Sequence, residues 1–273
     1  MRKRHLGSYA AAIVFAVPFL LPFYLLIRNA FMTRRELGSL EWQWWPEEIS
    51  FQGFADAFGN EAVPLANALW NSTLIATISA PLSTLLASMA GYALARIPVA
   101  ASKPVFYFVI ATMMVPGAAT FIPTFVVVGS MGGVNTLWGL IAPGLFSAFA
   151  VLLFRGFYLR FPRELEDAGR VDGLSHLGLY ARLALPNSGA LFASLGILSF
   201  IEHWNAFLWP LVIGQDPEYW TVQVALSTNL NQQAVNLPAL FAGALVAILP
   251  LVALFLIAQR WIVRGVLLSG IKG

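Results

Sequence analysis

The sequence contains no cysteine, which excludes disulfide bonds and any metal site built on thiolates. Its three histidines, His5, His176 and His203, lie far apart and do not have the spacing of metal ligands. No glycine is followed directly by lysine, and without that pair there is no phosphate-binding loop for ATP. We therefore predict no metal site, no cofactor and no nucleotide hydrolysis in this chain.

Charged residues are also scarce. They make up 11% of the 273 residues, less than half of the roughly 25% found in soluble domains, whereas 59% of the residues are hydrophobic. A chain with so few charges cannot cover a surface that faces water. We therefore predict that most of the chain lies in the lipid bilayer.

The apolar runs predict an all-α membrane protein with six transmembrane helices. A bilayer crossing needs about 20 apolar residues, and the uncharged run at 104–154 is long enough for two helices, separated at 132–136. Helices are favoured because backbone groups in lipid must form their hydrogen bonds within the segment. The predicted helices lie near 7–30, 67–95, 104–130, 137–159, 188–213 and 238–262.

The first apolar run follows Arg2-Lys3-Arg4 and has an alternative interpretation as a signal peptide. Signal peptides have a shorter apolar core, of about 7–15 residues, and a cleavage site of small residues after it. The run here is longer and no such site follows it. We expect the first helix to be retained.

The distribution of Lys and Arg predicts the orientation, because cations concentrate in cytoplasmic loops. With six helices, 13 of the 16 cations fall on the side that holds both termini, and the opposite loops carry most of the acids. Both termini are therefore predicted to be cytoplasmic. The excess of cations reflects this orientation, and we predict no nucleic-acid binding.

Loop 162–186 concentrates charge between two apolar runs, on the predicted cytoplasmic side. Glu166 and Arg170 have the favourable i, i+4 order of a helical ion pair, and acidic residues gather where the positive end of a helix would lie. Gly173 predicts a helix stop or a left-handed turn, and a second short helix is expected near 175–183. On physical grounds alone, a solvated amphipathic connector remains an alternative.

The spacing in this loop resembles the EAA loop of ABC importer permeases. Asp167, Ala168 and Gly169 fill the places of Glu-Ala-Ala, Gly173 that of the following glycine, and Leu183 with Leu185-Pro186 the end of the motif. Asp replaces Glu. Gly169 replaces Ala. Glycine in place of alanine weakens a helix by about 1 kcal/mol but keeps a small residue on the helix surface.

The resemblance extends over nearly the whole chain and is to the carbohydrate-importing permeases of the maltose type. Five further segments are similar to that family at collinear positions. They are Asn71-Ser72, 90–96, 114–116, 204–210 and the tail, at 259–265 with 270–273.

The resemblance implies that residues 1–273 form one transmembrane domain of an ABC importer in the cell inner membrane. The expected partners are a second permease subunit in a hetero-dimer, two cytosolic ATPase subunits that bind ATP, and an extracytoplasmic solute-binding protein. It also implies that loop 162–186 couples to the ATPase. The implied coupling residues are Glu166, Asp167, Ala168, Gly169, Asp172, Gly173, Leu183 and Pro186.

Glu202 lies inside the fifth predicted helix, where a carboxylate costs about 2.5–3.5 kcal/mol and usually faces a cavity or the bundle interior. Together with Trp204 and Asn205 it could form a wall suited to sugar hydroxyls and ring faces. The alternatives for Glu202 are that it pairs with a partner subunit or reaches the outer interface. Asn71 is a further pathway candidate, with a hydrogen bond between helices as its alternative.

We expect a sugar or oligosaccharide as cargo, with glycerol-3-phosphate, an amino sugar or another small polar solute as alternatives. A phosphate would favour Arg or Lys at membrane depth, and no predicted helix interior holds one. An intramembrane enzyme is disfavoured. Glu202 and His203 are its only candidate pair, and adjacent helical residues point about 100° apart.

Overall fold

The computed structural model describes the backbone of residues 3–231 and 235–270, and the side chains of residues 14–231 and 235–259. Within these ranges every regular element is a helix. This confirms the predicted all-helical class.

The first half of the described chain contains six α-helices. They are α1 (Lys3–Ala30), α2 (Arg34–Leu37), α3 (Gln52–Gly59), α4 (Leu65–Arg96), α5 (Ser102–Thr112) and α6 (Gly117–Ser130).

The second half contains nine more α-helices, joined in places by short 3₁₀ or π turns. They are α7 (Leu137–Ile141), α8 (Ala148–Leu159), α9 (Arg163–Val171), α10 (His176–Leu179), α11 (Leu185–Asn187), α12 (Gly189–Trp204), α13 (Leu208–Ile213), α14 (Val222–Leu230) and α15 (Leu237–Gly270).

Two of these helices are long and apolar enough to cross a membrane alone: α4 and the described part of α15, Leu237–Gln259. Three bent pairs pass the same test together, so the described residues contain two such crossings, or up to five. The shorter apolar segment Val14–Ala30 belongs to α1.

The bends are the main difference from the predicted helices. One helix is expected at 104–130, but α5 and α6 meet at 102°. Pro116 lies at this break, where its ring disfavours a helical conformation in the residue before it and removes an amide donor. Smaller changes of direction, of 44° and 79°, precede α8 and α12.

Helix α4 is the centre of the fold and packs against α8 and α12. Its buried positions are rich in Ala, Ser and Gly, which let neighbouring helices approach closely. At Gly91 an added Cβ would lie only 2.6 Å from Phe154 Cβ and 2.8 Å from the Arg155 amide nitrogen. The α4–α8 contact therefore brings the two backbones together at this point.

Short helices lie around the N-terminal end of α4, near Leu65. Helix α3 packs on α15, where Gly53 lies directly against Pro238. Helix α2 begins with a capping box, in which the Glu36 amide donates to Thr33 Oγ1 and the Glu36 carboxylate accepts from the Thr33 amide. These contacts order the long segment between α1 and α4.

Candidate functional site

Helix α9 is the predicted helix of the charged loop, and its sequence explains both ends. Glu164 and Glu166 lie in its first turn and Arg170 in its last, which suits the helix dipole. Arg170 contacts Glu166 at 3.6 Å and donates to Asp167 at 2.8 Å. The expected i, i+4 pair is therefore present, with an i, i+3 pair beside it.

Gly173 ends α9 with a φ of +79°, the left-handed conformation that its position in the sequence predicts. The Gly173 amide donates to Arg170 O, and the next amide, of Leu174, donates to Gly169 O at 2.9 Å. The turn redirects the chain so that the residues after it fold back onto α9.

The two faces of α9 differ. Glu166, 3% exposed, and Gly169 are buried. A Cβ at Gly169 would lie 2.6 Å from Leu179 Cδ2 and 3.0 Å from Leu183 Cδ1, so leucines of the same loop fill the space beside this glycine. The outward face is formed by other coupling candidates, namely Asp167, Ala168, Asp172 and Gly173.

The second half of the loop is not one short helix at 175–183. Helix α10, capped by the Ser175 hydroxyl, continues into a π-helical turn at Tyr180–Ala184 and then into α11. Leu183 is half-buried in the π turn, and Pro186 is exposed in α11. The coupling candidates thus occupy one continuous structural unit, 163–187.

Arg96, the last residue of α4, contacts the buried face of α9. Its Nε lies 3.4 Å from Glu166 Oε1, and the side chains of both residues are less than a tenth exposed. The same guanidinium donates to the carbonyls of Tyr158 and Phe161, just where α8 ends. The sequence identified Arg96 as a cytoplasmic cation at the end of the family-like segment 90–96, but no local pattern connects it to Glu166.

A cluster of hydroxyl groups lies beside this ion pair. Ser88 of α4 and Tyr158 of α8 are 2.7 Å apart, and Tyr158 is 3.0 Å from Ser188. Tyr180, from the π turn of the loop, donates to Ser88 at 3.1 Å. All four side chains are buried, so the loop is attached to α4 by hydrogen bonds as well as by charge.

Gly173 gives a prediction for this loop. Gly173→Val places a β-branched residue in the left-handed region, which costs about 1–2 kcal/mol. No heavy atom lies within 4 Å of the added Cβ, so the substitution adds backbone strain without a steric clash. We expect trypsin to cut the purified protein in the loop about 5–30 times faster, because cleavage follows the open population. Gly173→Asn is the matched control, since Asn tolerates this conformation. Equal cleavage of the Val variant and wild type would contradict the prediction.

Two of the residues predicted to line a pathway lie inside the structure. Trp204 is 1% exposed, donates from Nε1 to Ala247 O at 3.2 Å and stacks on Phe200. Asn71 is buried, and its Nδ2 lies 2.7 Å from Glu218 O. Neither side chain faces an open surface in this conformation.

Glu202 and Asn205 are exposed where α12 ends and the chain breaks before α13. Asn205 Oδ1 accepts a hydrogen bond from Gln223 Nε2 at 3.3 Å. His203, between them, contacts Ser199 O through Nδ1 at 2.7 Å and lies against Gly144. The structure thus brings two of the four pathway candidates to one open, polar surface.

A recess of about 260 Å³ lies between α6 and α13. The residues lining it are Phe121, Ile122, Phe125, Leu211, Val212 and Gln215. All of these side chains except Gln215 are apolar, and sequence reasoning did not identify this recess.

Comparison with known proteins gives a consistent result. The family model described as "Binding-protein-dependent transport system inner membrane component" matches residues 83–268. The arabinooligosaccharides transport system permease protein AraQ of Halalkalibacterium halodurans is 35% identical over 203 residues, 74% of this chain and 73% of its own length. The melibiose/raffinose/stachyose import permease protein MelC of Bacillus subtilis is 32% identical over 267 residues, 96% and 95% of the two chains.

The fold also matches a solved structure, described as a bacterial ABC transporter involved in the import of the acidic polysaccharide alginate. The TM-score is 0.84, with 19% identity, over 94% of this chain and 96% of the other. At this identity the match shows that the two chains share a fold.

Proposed function

The chain belongs to the family of binding-protein-dependent transport system inner membrane components, and from this premise we propose that it forms half of the pathway of an ATP-driven sugar importer. Residues 1–273 would act as one transmembrane domain beside a second permease subunit. Two cytosolic ATPase subunits would bind and hydrolyse ATP, and an extracytoplasmic binding protein would deliver the solute. The relatives are transport components, and ATP chemistry belongs to the partners.

The structure of α9 is the observation that best supports coupling to an ATPase. The helix exposes Asp167, Ala168 and Asp172 on one face, while Glu166 and Gly169 fix its other face to the body of the protein. A partner that binds the exposed face can therefore displace α4 and α8 through the buried one. A loop that was solvated on all sides could not transmit such a displacement.

We propose six membrane crossings with both termini in the cytoplasm. In this arrangement α1, α4 and α15 cross as single helices, and the three bent pairs supply the other crossings. Arg96 and α9 then lie at the cytoplasmic end of α4, opposite Asn71 and Glu218. In this arrangement most of the Lys and Arg residues lie on the cytoplasmic side and most of the Asp and Glu residues lie on the opposite side, in accord with the positive-inside rule.

Labelling of single cysteines tests this topology cleanly, because the native chain has none. In intact cells lacking any outer barrier, a membrane-impermeant maleimide is expected to react with cysteine at Glu61 or Glu218. Cysteine at Val171, which is 89% exposed, should react only after permeabilisation. Leu179→Cys, at a buried position, is the control and should stay unlabelled until the protein unfolds. Labelling at position 171 from outside would overturn the orientation and the coupling role of α9.

A neutral sugar or oligosaccharide is the cargo that this chain supports best. The relatives named above carry arabinooligosaccharides or melibiose, raffinose and stachyose. The exposed Glu202 and Asn205 and the half-buried Gln223, beside the break after α12, suit hydroxyl groups. Helices α6, α12 and α13 contain no Lys or Arg. Phosphate would be repelled by Glu202 and would find no cation there.

Uptake by the reconstituted importer tests this assignment. We expect neutral oligosaccharides to be transported and glycerol-3-phosphate neither to be transported nor to compete. Transport of glycerol-3-phosphate would show that the cargo is a phosphate ester. Transport of an amino sugar would show that the cargo is an amino sugar. Glu202→Gln should preserve uptake of a neutral sugar. If the cargo is a cationic amino sugar, this variant should bind it more weakly than wild type, because the carboxylate has been removed.

A further inference from the structure

Three tryptophans, Trp42, Trp44 and Trp45, lie close together in the segment between α2 and α3, and all three are more than half exposed. The rings of Trp42 and Trp44 meet edge to face with their centroids 5.5 Å apart. Trp45 meets Tyr24 of α1 in the same way at 5.7 Å. These three indoles form a tryptophan patch that is separate from loop 162–186 and from the polar surface at Glu202.

The patch folds back along the apolar part of α1. The uncharged run of α1 ends at Ile27, and Arg28 is the first charge after it. The Tyr24 hydroxyl donates to the Trp44 carbonyl, and Tyr24 lies four residues before Arg28, about 6 Å along the helix axis. The chain therefore returns past the charged end of α1 to the level of its apolar residues.

Hydrogen bonds hold the segment in this position. The Glu47 amide donates to the Glu36 carboxylate at 2.7 Å, which ties the end of the segment to α2. Gln43 Nε2 donates to Glu47 Oε1 at 2.8 Å, and the Ser50 amide donates to Phe31 O at 2.9 Å. The indoles are therefore presented by an ordered loop, and their exposure is a property of the fold.

Arg28 places a positive charge beside the patch. Its guanidinium carbon lies 4.5 Å from the centroid of the Trp42 ring, and its Nε donates to Asn29 Oδ1 at 3.1 Å. Within the described side chains no carboxylate lies at ion-pair distance from Arg28. Phosphate groups are anions that a guanidinium binds well, and they lie at the surface of every phospholipid bilayer.

The phospholipid bilayer is the partner that fits this surface. Beside Tyr24, the residues Phe23 and Ile27 of α1 are exposed, so the patch adjoins an apolar helix surface. Indoles favour the boundary between hydrocarbon and headgroups, because the ring is largely apolar and its N–H donates a hydrogen bond. Segments at this boundary bury their apolar groups about 5–10 Å deep, and the offset between Tyr24 and Arg28 falls in that range.

We propose that the tryptophan patch is a membrane anchor. Trp42, Trp44 and Trp45 lie in the interfacial layer of the bilayer at the end of α1, with Arg28 at the level of the lipid phosphates. The anchor fixes the depth of α1 in the membrane. Its assignment to the outer leaflet rests on the orientation proposed above, whereas the contact with lipid does not.

Quenching by brominated phospholipids tests the anchor, because bromine quenches the fluorescence of indoles that it contacts. The purified full-length permease is placed in nanodiscs of phosphatidylcholine brominated either near the headgroup end or near the far end of its acyl chains. We expect the headgroup-end bromines to quench more strongly. Replacing the three tryptophans by phenylalanine removes three of nine indoles and should lower this shallow quenching by about one third or more, since interfacial indoles dominate it.

Trp220→Phe is the matched control. Trp220 is half-buried against Val63, Ala68 and Ala225 in another segment, so its replacement should change the shallow quenching little. A triple variant that is quenched as strongly as wild type would overturn the proposal.

A single nitroxide carries the test in the assembled importer, and also replaces the triple variant if that variant does not fold. Trp45→Cys is labelled on the isolated permease, where it is the only cysteine, and is then assembled with its partners. We expect its ratio of collisions with oxygen, which dissolves in lipid, to collisions with a water-soluble nickel chelate to exceed the ratio at Glu61→Cys, an exposed position after α3.

Two other outcomes would refute the anchor. Frequent collisions with the nickel chelate at position 45 would show that the patch faces water. Rare collisions with both reagents would show that a protein subunit covers it. Neither readout involves transport, so failure of the anchor leaves the proposed function intact, and an importer that fails to transport sugar leaves the anchor intact.

Discussion

Replacing Asp167 by lysine is expected to reduce solute uptake about 30-fold or more while the permease stays folded in the membrane. Asp167 is 67% exposed on the outward face of α9, and its contact with Arg170 is a surface pair, worth only about 0.2–0.5 kcal/mol to the helix. The larger effect follows from the proposed contact with the ATPase, because reversing a charge at an interface costs several kcal/mol. A loss of about 2 kcal/mol corresponds to about 30-fold in affinity.

Uptake and co-purification of the ATPase subunits should fall together in this variant. Asp167→Glu is the conservative control and should retain uptake, since Glu stands at this place in the motif that the loop resembles. Glu164→Lys makes the same charge reversal at an exposed position outside the motif. If Asp167→Lys keeps both uptake and the ATPase, α9 is not the coupling helix.

Gly91→Val is expected to cause a large loss of stability. The added Cβ would meet Phe154 Cβ at 2.6 Å and the backbone of Arg155 at 2.8 Å, and a backbone atom cannot move aside as a flexible side chain can. Overpacking of this kind costs about 1–3 kcal/mol or more. For a chain of this size, about 3 kcal/mol lowers the melting temperature by about 6–12 °C.

Thermal melting of the purified permease in nanodiscs measures this effect. Gly156→Val is the matched control on α8, because no heavy atom lies within 4 Å of the Cβ built at that position. It adds the same side chain to the adjacent helix and should melt within about 2 °C of wild type, as exposed replacements usually do. A Gly91→Val protein that melts like the control would show that α4 and α8 can separate without cost.

The helical class and the limits of α4 could be predicted from the sequence because both depend on local composition. The predicted helix at 67–95 differs from Leu65–Arg96 by two residues at one end and one at the other. The sequence marks Pro116 as a position where a helix can kink, but it did not predict that α5 and α6 would meet at 102°. Direction depends on what packs beside the run, and a window of sequence does not contain that information.

Loop 162–186 shows the same division. The helix and its stop at Gly173 follow from charge order and from the conformational freedom of glycine, both of which are local properties. The partner of Glu166 is Arg96, 70 residues earlier, and nothing in either segment indicates the other. Asn71 illustrates a further limit, because the sequence indicated a hydrogen-bonding role for it but not that loop carbonyls would accept the bonds.

The 102° break between α5 and α6 has a consequence for the biogenesis of the subunit. Residues 113–116 are exposed at the break and lie outside both helices, whereas hydrocarbon does not tolerate irregular backbone unless protein or water covers it. A newly inserted copy therefore has to cover these residues with protein or expose them to water.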